Sequence, residues 1–335
     1  MKVAIITRDS PHQHGGLSTL TNYFAASLRE LGIHVNVFHG GNNAKTLLSP
    51  IRLDLDRYDI VHLTSPPYGA LVNKKPMVVT VAQPALAELQ YYPLIDKIKA
   101  LAAYPLESIT LRKACSVVAL SEVGKKDLMN GYPVEAEKIV TIPAGVDLEK
   151  FRPQPHNTRN VKILLCSRLE PRKNVREALV ALASLGQIQL DITVIGDGIQ
   201  KMELKNIAKS LRLPVAFKHN LPEDKLSTYF NNADVFITCS LAEGFGLSLL
   251  QAMASGCAII ASNIPAHNSL IKHETSGLIY RGRDDLRMRL ESLLANHSAI
   301  EKFGEEARKV AQKYNWRTIG KRYLKLYKTL LEGHN

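Results

Sequence analysis

Residues 240–257 read SLAEGFGLSLLQAMASGC, and this stretch decides the fold of the chain. The apolar run Val235–Thr238 before it predicts a strand, and the good helix formers that follow predict a helix to Ser255. Between them Glu243 is followed by glycines, which allow a backbone to approach a ligand closely. The amides at a helix start favour phosphate or sugar oxygens. The stretch therefore predicts a turn that binds a polar ligand, although a glycine-rich connection with a surface glutamate explains it equally well.

The same alternation of strand and helix continues outward in both directions. Lys2–Thr7 and Val161–Ser167 are apolar, β-rich runs, and each is followed by a polar turn and a helical pattern. This alternation predicts an α/β fold of two Rossmann-like, doubly wound domains facing each other across a cleft. The prolines and polar residues of 152–157 indicate a linker. We predict a first domain over 1–152, a second over 153–315 and a last helix, 316–335, that packs back on the first domain.

Two regions have less regular patterns. The spacing predicts a helix over Ile95–Leu111 that Pro105 interrupts, and a turn over Asn263–His267 followed by a remainder that is helical. The first of these helices has bases close to apolar and tyrosine positions, namely Lys97, Lys99, Arg112 and Lys113. Such a helix fits either a membrane-facing patch or an ordinary surface helix, and its irregular apolar spacing favours the surface helix.

Composition and charge restrict the class of protein. The 335 residues are 45% hydrophobic, with no signal-peptide pattern and no apolar run of membrane-spanning length, so we expect a cytoplasmic protein. The net charge of +12 suits anionic partners such as nucleotide phosphates or an inner membrane face. No nucleic-acid-binding module is recognisable. The four cysteines lack Cys-x-x-Cys spacing, which predicts buried free thiols: Cys115, Cys166, Cys239 and Cys257.

Two cations follow the first strand of the second predicted domain. Arg168 and Lys173 lie five positions apart across a turn, so both can reach one point at the carboxyl end of the sheet. Arginine offers a planar fork for phosphate oxygens and lysine a mobile point charge, which makes a diphosphate the natural partner. Two solvated loop cations are the alternative. Glu243 follows another strand of the same predicted sheet, and this combination favours a ligand site.

The chain resembles glycosyltransferase family 4, the GT-B family of retaining, nucleotide-sugar-dependent enzymes. Four segments carry the resemblance, in order along the chain: His14-Gly15-Gly16 before the first helix, Ser167-Arg168-Leu169 with Lys173-Asn174, Val194 to Gly198, and Glu243 to Leu247 with Ala252 to Gly256. Each segment is weak alone, whereas together they are specific and cover essentially the whole chain. The resemblance implies an acceptor-side first domain and a donor-binding second domain.

The resemblance also implies roles for individual residues. Arg168 and Lys173 would hold the donor diphosphate and stabilise the leaving group, and Glu243 would accept hydrogen bonds from sugar hydroxyls. His14 and Gln83 would lie on the sugar or acceptor side. The other implied donor-binding positions are Gly15, Gly16, Gly196, Asp197, Gly198, His219, Leu221, Gly244, Phe245, Gly246, Leu247 and Gln251.

The resemblance implies no cofactor and no metal. It also implies that the leaving phosphate helps to deprotonate the acceptor, so that no protein nucleophile is required. The pair Asp54 and Asp56 has an Asp-x-Asp spacing, which we interpret as a solvated acidic turn. We therefore predict a metal-independent glycosyltransferase that uses a nucleotide-diphosphate sugar and a hydroxyl acceptor, with a lipid-linked acceptor as one form.

Two positions depart from the family pattern and keep other functions open. Gln251 stands where the family has a second glutamate that binds the ribose hydroxyls, and an amide accepts from only one of them. Ala82-Gln83 stands where many members have a histidine that contacts the sugar. His12, His14 and His62 are alternatives, although each is typical of a loop or core histidine. A nucleotide-sugar or polyanion binder without turnover, or a nucleotide-sugar epimerase, are the competing hypotheses.

Overall fold

A computed structural model of the chain describes residues 1–8, 16–40, 53–74, 76–155, 160–186 and 189–333. They form two compact units, one of Met1–Gly145 with Tyr314–Asn335 and one of Val146–Lys313. The boundary between the units lies a few residues before the linker predicted from the sequence, and the last helix belongs to the first unit.

The first unit contains a six-stranded sheet in which all the paired strands are parallel, in the order β2-β1-β3-β4-β5-β6. Its strands are β1 (Lys2–Thr7), β2 (His34–His39), β3 (Ile60–Leu63), β4 (Met77–Val81), β5 (Ser116–Ala119) and β6 (Ile139–Thr141). The helices between them are α1 (Gly16–Glu30), α2 (Leu94–Lys113) and α3 (Glu122–Gly131).

Helix α1 shows why these elements form where they do. Leu20, Phe24 and Leu28 recur every four residues and are buried, so one stripe of the helix faces the core. Gly32 takes a φ of +78° directly after the helix, and the Ile33 amide donates to the carbonyl of Leu28 at 3.1 Å. A glycine in this conformation satisfies the last helical carbonyls and ends the helix.

The second unit contains a second parallel six-stranded sheet, in the order β12-β11-β10-β7-β8-β9. Its strands are β7 (Val161–Cys166), β8 (Leu190–Ile195), β9 (Val215–Lys218), β10 (Val235–Thr238), β11 (Ala258–Ser262) and β12 (Leu278–Tyr280). Its helices are α4 (Val175–Ala183), α5 (Lys201–Ser210), α6 (Glu223–Asn231), α7 (Leu247–Ala254), α8 (Pro265–Leu270), α9 (Gly282–Leu294) and α10 (His297–Ala311).

In both units the first strand lies inside the sheet, and later strands add on both of its sides. Parallel strands of this kind need helical crossovers that cover both faces, which makes each sheet doubly wound. The predicted α/β class is therefore confirmed. Residues buried in β1, β3 and β4, such as Ala4, Val61 and Val79, form the core of the first unit.

The last helix, α11 (Trp316–Glu332), packs on the first unit through one aromatic stripe. Trp316, Tyr323 and Tyr327 are buried, and the ring of Tyr323 lies 4.4 Å from that of Phe24 in α1. His62 in β3 bonds to the hydroxyl of Tyr327 through Nδ1 and to Thr80 through Nε2 at 2.8 Å. His62 is thus a core residue that joins the sheet to the last helix.

Several local predictions were wrong. Helix α2 runs through Pro105 without a break, and the predicted turn at 263–267 contains the start of α8. The region after it is not all helical, because the short strand β12 adds an edge to the second sheet. Cys239 and Cys257 are buried free thiols, whereas Cys115 and Cys166 are only partly buried. Among the described residues, no helix is both long enough and apolar enough to cross a membrane.

Candidate active site

The second sheet changes its winding direction between β7 and β10. These two strands are neighbours, with Val235 beside Ile163 and Phe236 beside Leu164, while their connections lead to opposite sides of the sheet. In open α/β sheets, ligands bind outside the carboxyl ends of the strands at such a switch point. The two loops that leave there are 167–174 and 239–246, which contain the predicted cations and Glu243.

Buried backbone contacts connect the two loops. Arg172 is only 3% exposed, and its Nη1 donates to the carbonyl of Ala242 at 2.8 Å. The amide of Leu241 donates in return to the carbonyl of Arg172 at 2.8 Å. Asn174 then takes a left-handed conformation, with φ of 47°, before α4 begins. Arg172 therefore has a structural function that its position in a basic turn does not indicate.

Glu243 is the acidic centre of the site. Lys173 Nζ donates to its Oε1, as does Ser240 Oγ at 2.8 Å, and Arg172 Nη1 lies 3.6 Å from Oε2. The side chains of Lys173 and Glu243 are 11% and 13% exposed. A carboxylate and two cations thus share one largely dehydrated position at the end of β10, with one net positive charge.

Electrostatics keep this cluster ionised. Burial on its own would raise the pKa of Glu243, but the charges of Lys173 and Arg172 oppose it and lower the pKa to about 2. Burial, together with the neighbouring cation Arg172, lowers the pKa of Lys173, while Glu243 acts against that change. Glu243 is therefore a hydrogen-bond acceptor at neutral pH and not a proton donor.

Polar residues of β11 and α8 support the turn that contains Glu243. Ser262 Oγ donates to the carbonyl of Ser240 at 2.6 Å, and His267 Nδ1 lies 2.9 Å from the carbonyl of Ser262. His267 is buried, and burial lowers its pKa despite the nearby carboxylate of Glu243. His267 is a site residue that its sequence context does not indicate; Pro265 only signals the first turn of a helix there.

Arg168 differs from the buried cations. Its side chain is 61% exposed, and its Nη1 lies 2.9 Å from Oε1 of Glu170 in the same loop. It stays at the solvent side of the switch point, whereas Lys173 turns inward to Glu243.

Gly196 and Gly198 follow β8 beside this loop. A Cβ on Gly196 would lie 1.8 Å from the carbonyl oxygen of Ser167, and one on Gly198 would lie 2.4 Å from that of Leu169. The glycines thus let the Arg168 loop lie directly on the β8 turn. This packing accounts for glycine at both positions without a bound ligand.

Asp197, between the two glycines, is exposed. Its carboxylate lies 3.4 Å from Lys201 Nζ and 3.8 Å from His219 Nδ1, and the hydrogen bond from the Gly198 amide is the main cause that lowers its pKa. Leu221, two residues after His219, is partly buried. These residues line the same end of β8 and β9.

The glycine-rich turn leads directly into α7. Gly244 and Phe245 are buried, and Gly246 has a φ of +96° as the residue before the first helical turn. The backbone amides at Leu247 and after it point out of a helix start, which favours anionic or hydroxyl oxygens. Gln251, one turn further on, is 9% exposed.

The predicted residues of the first unit are placed as follows. His14 and Gly15, like the alternative His12, lie outside the described residues, and Gly16 is the first residue of α1. Gln83 is partly buried directly after β4.

The Asp-x-Asp pair forms ordinary surface contacts. Asp54 lies 3.6 Å from Arg57, and Asp56 lies 3.7 Å from Lys74. Within the parts of the chain that the structure describes, no group of three or more His, Cys, Asp or Glu side chains is arranged to hold a metal ion.

Two parallel, doubly wound sheets, the second with a cationic and acidic cluster at its switch point, define a protein of the GT-B type. Two family sequence models match the chain: the one described as "Glycosyl transferases group 1" matches residues 146–310, and the one described as "Glycosyltransferase Family 4" matches residues 43–150. The chain belongs to the group 1 glycosyltransferases of the family 4 type.

Individual relatives agree with this assignment. The chain is 32% identical over 213 residues to the alpha-monoglucosyldiacylglycerol synthase of Streptococcus pneumoniae, which covers 56% of this chain and 48% of that protein. The chain thus spans about half the length of this curated relative. Sucrose-phosphate synthase from Thermosynechococcus elongatus has the same fold, with a TM-score of 0.87 over 99% of both chains at 18% identity. Anabaena HepE, solved with UDP-glucose, has a TM-score of 0.82 over 98% of this chain and 100% of its own, also at 18% identity.

Proposed function

We propose that the protein transfers a sugar from a nucleoside diphosphate donor to a hydroxyl acceptor. The observation that carries this proposal is the contact between Lys173 and Glu243 at the switch point of the second sheet, with Arg168 at its solvent edge. This arrangement offers cations for a diphosphate and a permanently charged acceptor for sugar hydroxyls within one loop pair. Family membership supports the same activity.

In this proposal, Arg168 and Lys173 bind the diphosphate and stabilise the charge that develops on it as the glycosidic bond breaks. Glu243 accepts hydrogen bonds from the sugar, held in orientation by Ser240 and Arg172. The first amides of α7 donate to sugar or phosphate oxygens. Gly196, Asp197, Gly198, His219 and Leu221 lie beside the nucleoside.

The reaction retains the anomeric configuration and needs no metal ion. The leaving phosphate takes the proton of the acceptor hydroxyl on the same face of the sugar, so no protein nucleophile takes part. The protein's own cations neutralise the diphosphate, which is the task that a divalent metal performs in other transferases. Two observations test these points: the anomeric configuration of the product by NMR, and turnover after treatment with EDTA.

Donor and acceptor are proposed from the relatives. Anabaena HepE was solved with UDP-glucose, which supports a nucleotide sugar as the donor here. The name of the Streptococcus pneumoniae relative contains a diacylglycerol lipid, which supports a lipid-linked hydroxyl as the acceptor. Since Gln251 replaces the family's ribose-binding glutamate, we propose a donor site with weaker ribose contacts.

The deciding experiment measures nucleoside diphosphate release from a panel of nucleotide sugars with a mixed pool of hydroxyl and lipid acceptors. The wild-type protein should release nucleoside diphosphate with at least one donor, and Glu243→Ala should release far less. Glu291→Ala, which removes an exposed carboxylate paired with Arg287 on α9, is the matched control and should behave as wild type.

Binding without release would favour the second candidate, a nucleotide-sugar binder without turnover, which the glutamine at position 251 motivates. Calorimetry with the same donors separates the two outcomes. If no donor binds and none is turned over, both functions are wrong for this chain.

A further inference from the structure

The outward side of α2 is apolar along almost its whole length. Leu94, Ile95, Ile98, Leu101 and Ile109 have exposed fractions between 42% and 75%, and Ala102 and Pro105 are exposed among them. We call these seven residues the α2 apolar face. Surface helices of globular proteins normally turn polar side chains outward, so this helix has the reverse arrangement.

Helical geometry shows that the α2 apolar face is one continuous surface. At about 100° per residue, its other members lie within about 60° of Ile98 around the helix axis. From Leu94 to Ile109 the face extends for about 22 Å, at ~1.5 Å per residue. Scattered exposed apolar residues are ordinary, but a continuous exposed patch marks an interaction surface.

The helix is held in this orientation by its other side. Lys113 Nζ donates to the carbonyl of Ala70 at 2.8 Å, and Glu107 accepts from the hydroxyl of Tyr132 at 2.6 Å. Thr110 is buried against Gly69. A Cβ on this glycine would lie only 2.3 Å from the methyl group of Thr110. The helix therefore cannot rotate to bury its apolar face without breaking these contacts.

Charge around the face selects the type of partner. Lys97 and Lys99 lie on its two flanks, about 100° from Ile98, and the exposed Arg112 lies near its C-terminal end. Asp96 and Glu107, the two acids of α2, start from the opposite side of the helix, but the Asp96 carboxylate reaches the flank and forms an ion pair with Lys99 Nζ at 2.9 Å. The apolar stripe itself contains no acid, and Lys97 and Arg112 border it beside the Lys99–Asp96 ion pair. This arrangement fits an anionic lipid surface, where the stripe enters the acyl boundary and the bases meet the headgroups.

We infer that the α2 apolar face docks the first unit on an anionic membrane surface. The sequence pattern favours an ordinary surface helix, because the inward side also contains apolar residues such as Tyr104 and Leu111. The average over the whole helix therefore conceals the outward stripe. The chain's net charge of +12 adds a general attraction to the same surface. Docking does not depend on the proposed transfer reaction, since it is measured as binding.

The test is co-sedimentation of the full chain with vesicles of phosphatidylglycerol and phosphatidylcholine, and with vesicles of phosphatidylcholine alone. The wild-type protein should bind the anionic vesicles and bind the neutral ones weakly. The double variant Ile98→Glu/Leu101→Glu should lose roughly tenfold or more in affinity for the anionic vesicles, because two apolar contacts become charges that the membrane repels. Lys97→Gln should lose roughly fivefold, Lys99→Gln should lose less because Asp96 already pairs with this base, and more salt should reduce wild-type binding.

Met288→Glu is the matched control, since Met288 on α9 is 57% exposed and Ile98 is 58% exposed. It should bind vesicles as the wild type does and unfold at the same temperature. Absence of binding to anionic vesicles, or equal binding by wild type and Ile98→Glu/Leu101→Glu, would overturn the inference. A wild-type dimer that this double variant converts to monomers would also overturn it, because the face would then be covered by a second copy. Nucleoside diphosphate release with soluble acceptors, measured without vesicles, tests the transfer reaction separately.

Discussion

Lys173 Nζ donates to Glu243 Oε1 across the two loops that meet at the switch point of the second sheet. The residues are separated by 70 positions in the chain, and both side chains are almost completely buried. The pair therefore joins the loop after β7 to the loop after β10. It also fixes the carboxylate that, in our proposal, accepts hydrogen bonds from the hydroxyls of the donor sugar.

Removing Glu243 should destabilise the protein strongly, because Lys173 and Arg172 would remain as buried cations. We expect Glu243→Ala to lower the free energy of unfolding by about 3 to 5 kcal/mol. Lys173→Met should lower the free energy of unfolding less, since the Glu243 carboxylate still has Arg172 and Ser240 as partners. In the double variant the effects should fall short of additivity by at least about 1 kcal/mol. Urea unfolding of the four proteins gives this value, and strictly additive effects would contradict the buried pair.

Gly196 should be intolerant of any side chain. Gly196→Ala places a Cβ against the carbonyl oxygen of Ser167, so we expect a loss of roughly 3 kcal/mol or more and a displaced Arg168 loop. Gly186→Ala is the control: Gly186 also has a positive φ, of +75°, but nothing lies within 4 Å of its Cβ position. That variant should lose only about 1 to 2 kcal/mol. Equal losses of stability in the two variants, measured by thermal or urea unfolding, would show that packing against Ser167 is not the reason for glycine at position 196.

Acid should weaken the contact between the first sheet and α11. Burial lowers the pKa of His62 from 6.5 to about 3, so the folded protein holds it neutral while the unfolded chain protonates it. This group leaves stability unchanged above pH 6.5 and reduces it as the pH falls towards 3, by about 1.4 kcal/mol per pH unit. His62→Gln should show a shallower loss over this range. His34→Gln, at an exposed position of β2, should keep the wild-type slope, and identical slopes in all three proteins would exclude His62 as the cause.

Gln251→Glu should tighten binding of the donor roughly tenfold, because a carboxylate accepts hydrogen bonds from both ribose hydroxyls and adds charge assistance. Gln251→Met, of similar length but without hydrogen-bonding groups, should weaken it. Calorimetric titration with UDP and other nucleoside diphosphates measures both effects. Unchanged affinity for the nucleoside diphosphate in both variants would contradict the proposed contact between Gln251 and the ribose.

Much of the fold could be predicted from the sequence. The bounds of β1 and β10 agree with the prediction, and β7 is one residue shorter than predicted, because each is a short apolar run that ends at polar residues. Strand β12 was missed because it has only three residues and little pattern of its own. Pro105 was expected to interrupt α2, yet the tertiary contacts of Glu107 and Lys113 hold the helix through it.

The site was harder to predict in detail. Arg168, Arg172 and Lys173 are three cations in one loop, and no spacing rule distinguishes the buried ones from the exposed one. The structure turns Arg172 and Lys173 inward because the carbonyl of Ala242 and the carboxylate of Glu243 lie there. The sequence predicts only a turn at His267, because its hydrogen-bond partners on Ser262 come close only when β11 and α8 are folded together.

The most direct test of the central claim compares three variants in donor turnover. Arg168→Ala should reduce kcat/KM for the nucleotide sugar by roughly 10²-fold with little change in stability, since its exposed side chain is assigned to the diphosphate. Glu170→Ala, which only releases Arg168 from its ion pair, and Arg287→Ala, which removes an exposed arginine paired with Glu291 at the same 2.9 Å, should stay close to wild type. If Arg168→Ala also keeps wild-type turnover, the diphosphate does not bind at the switch point between β7 and β10, and the account is wrong.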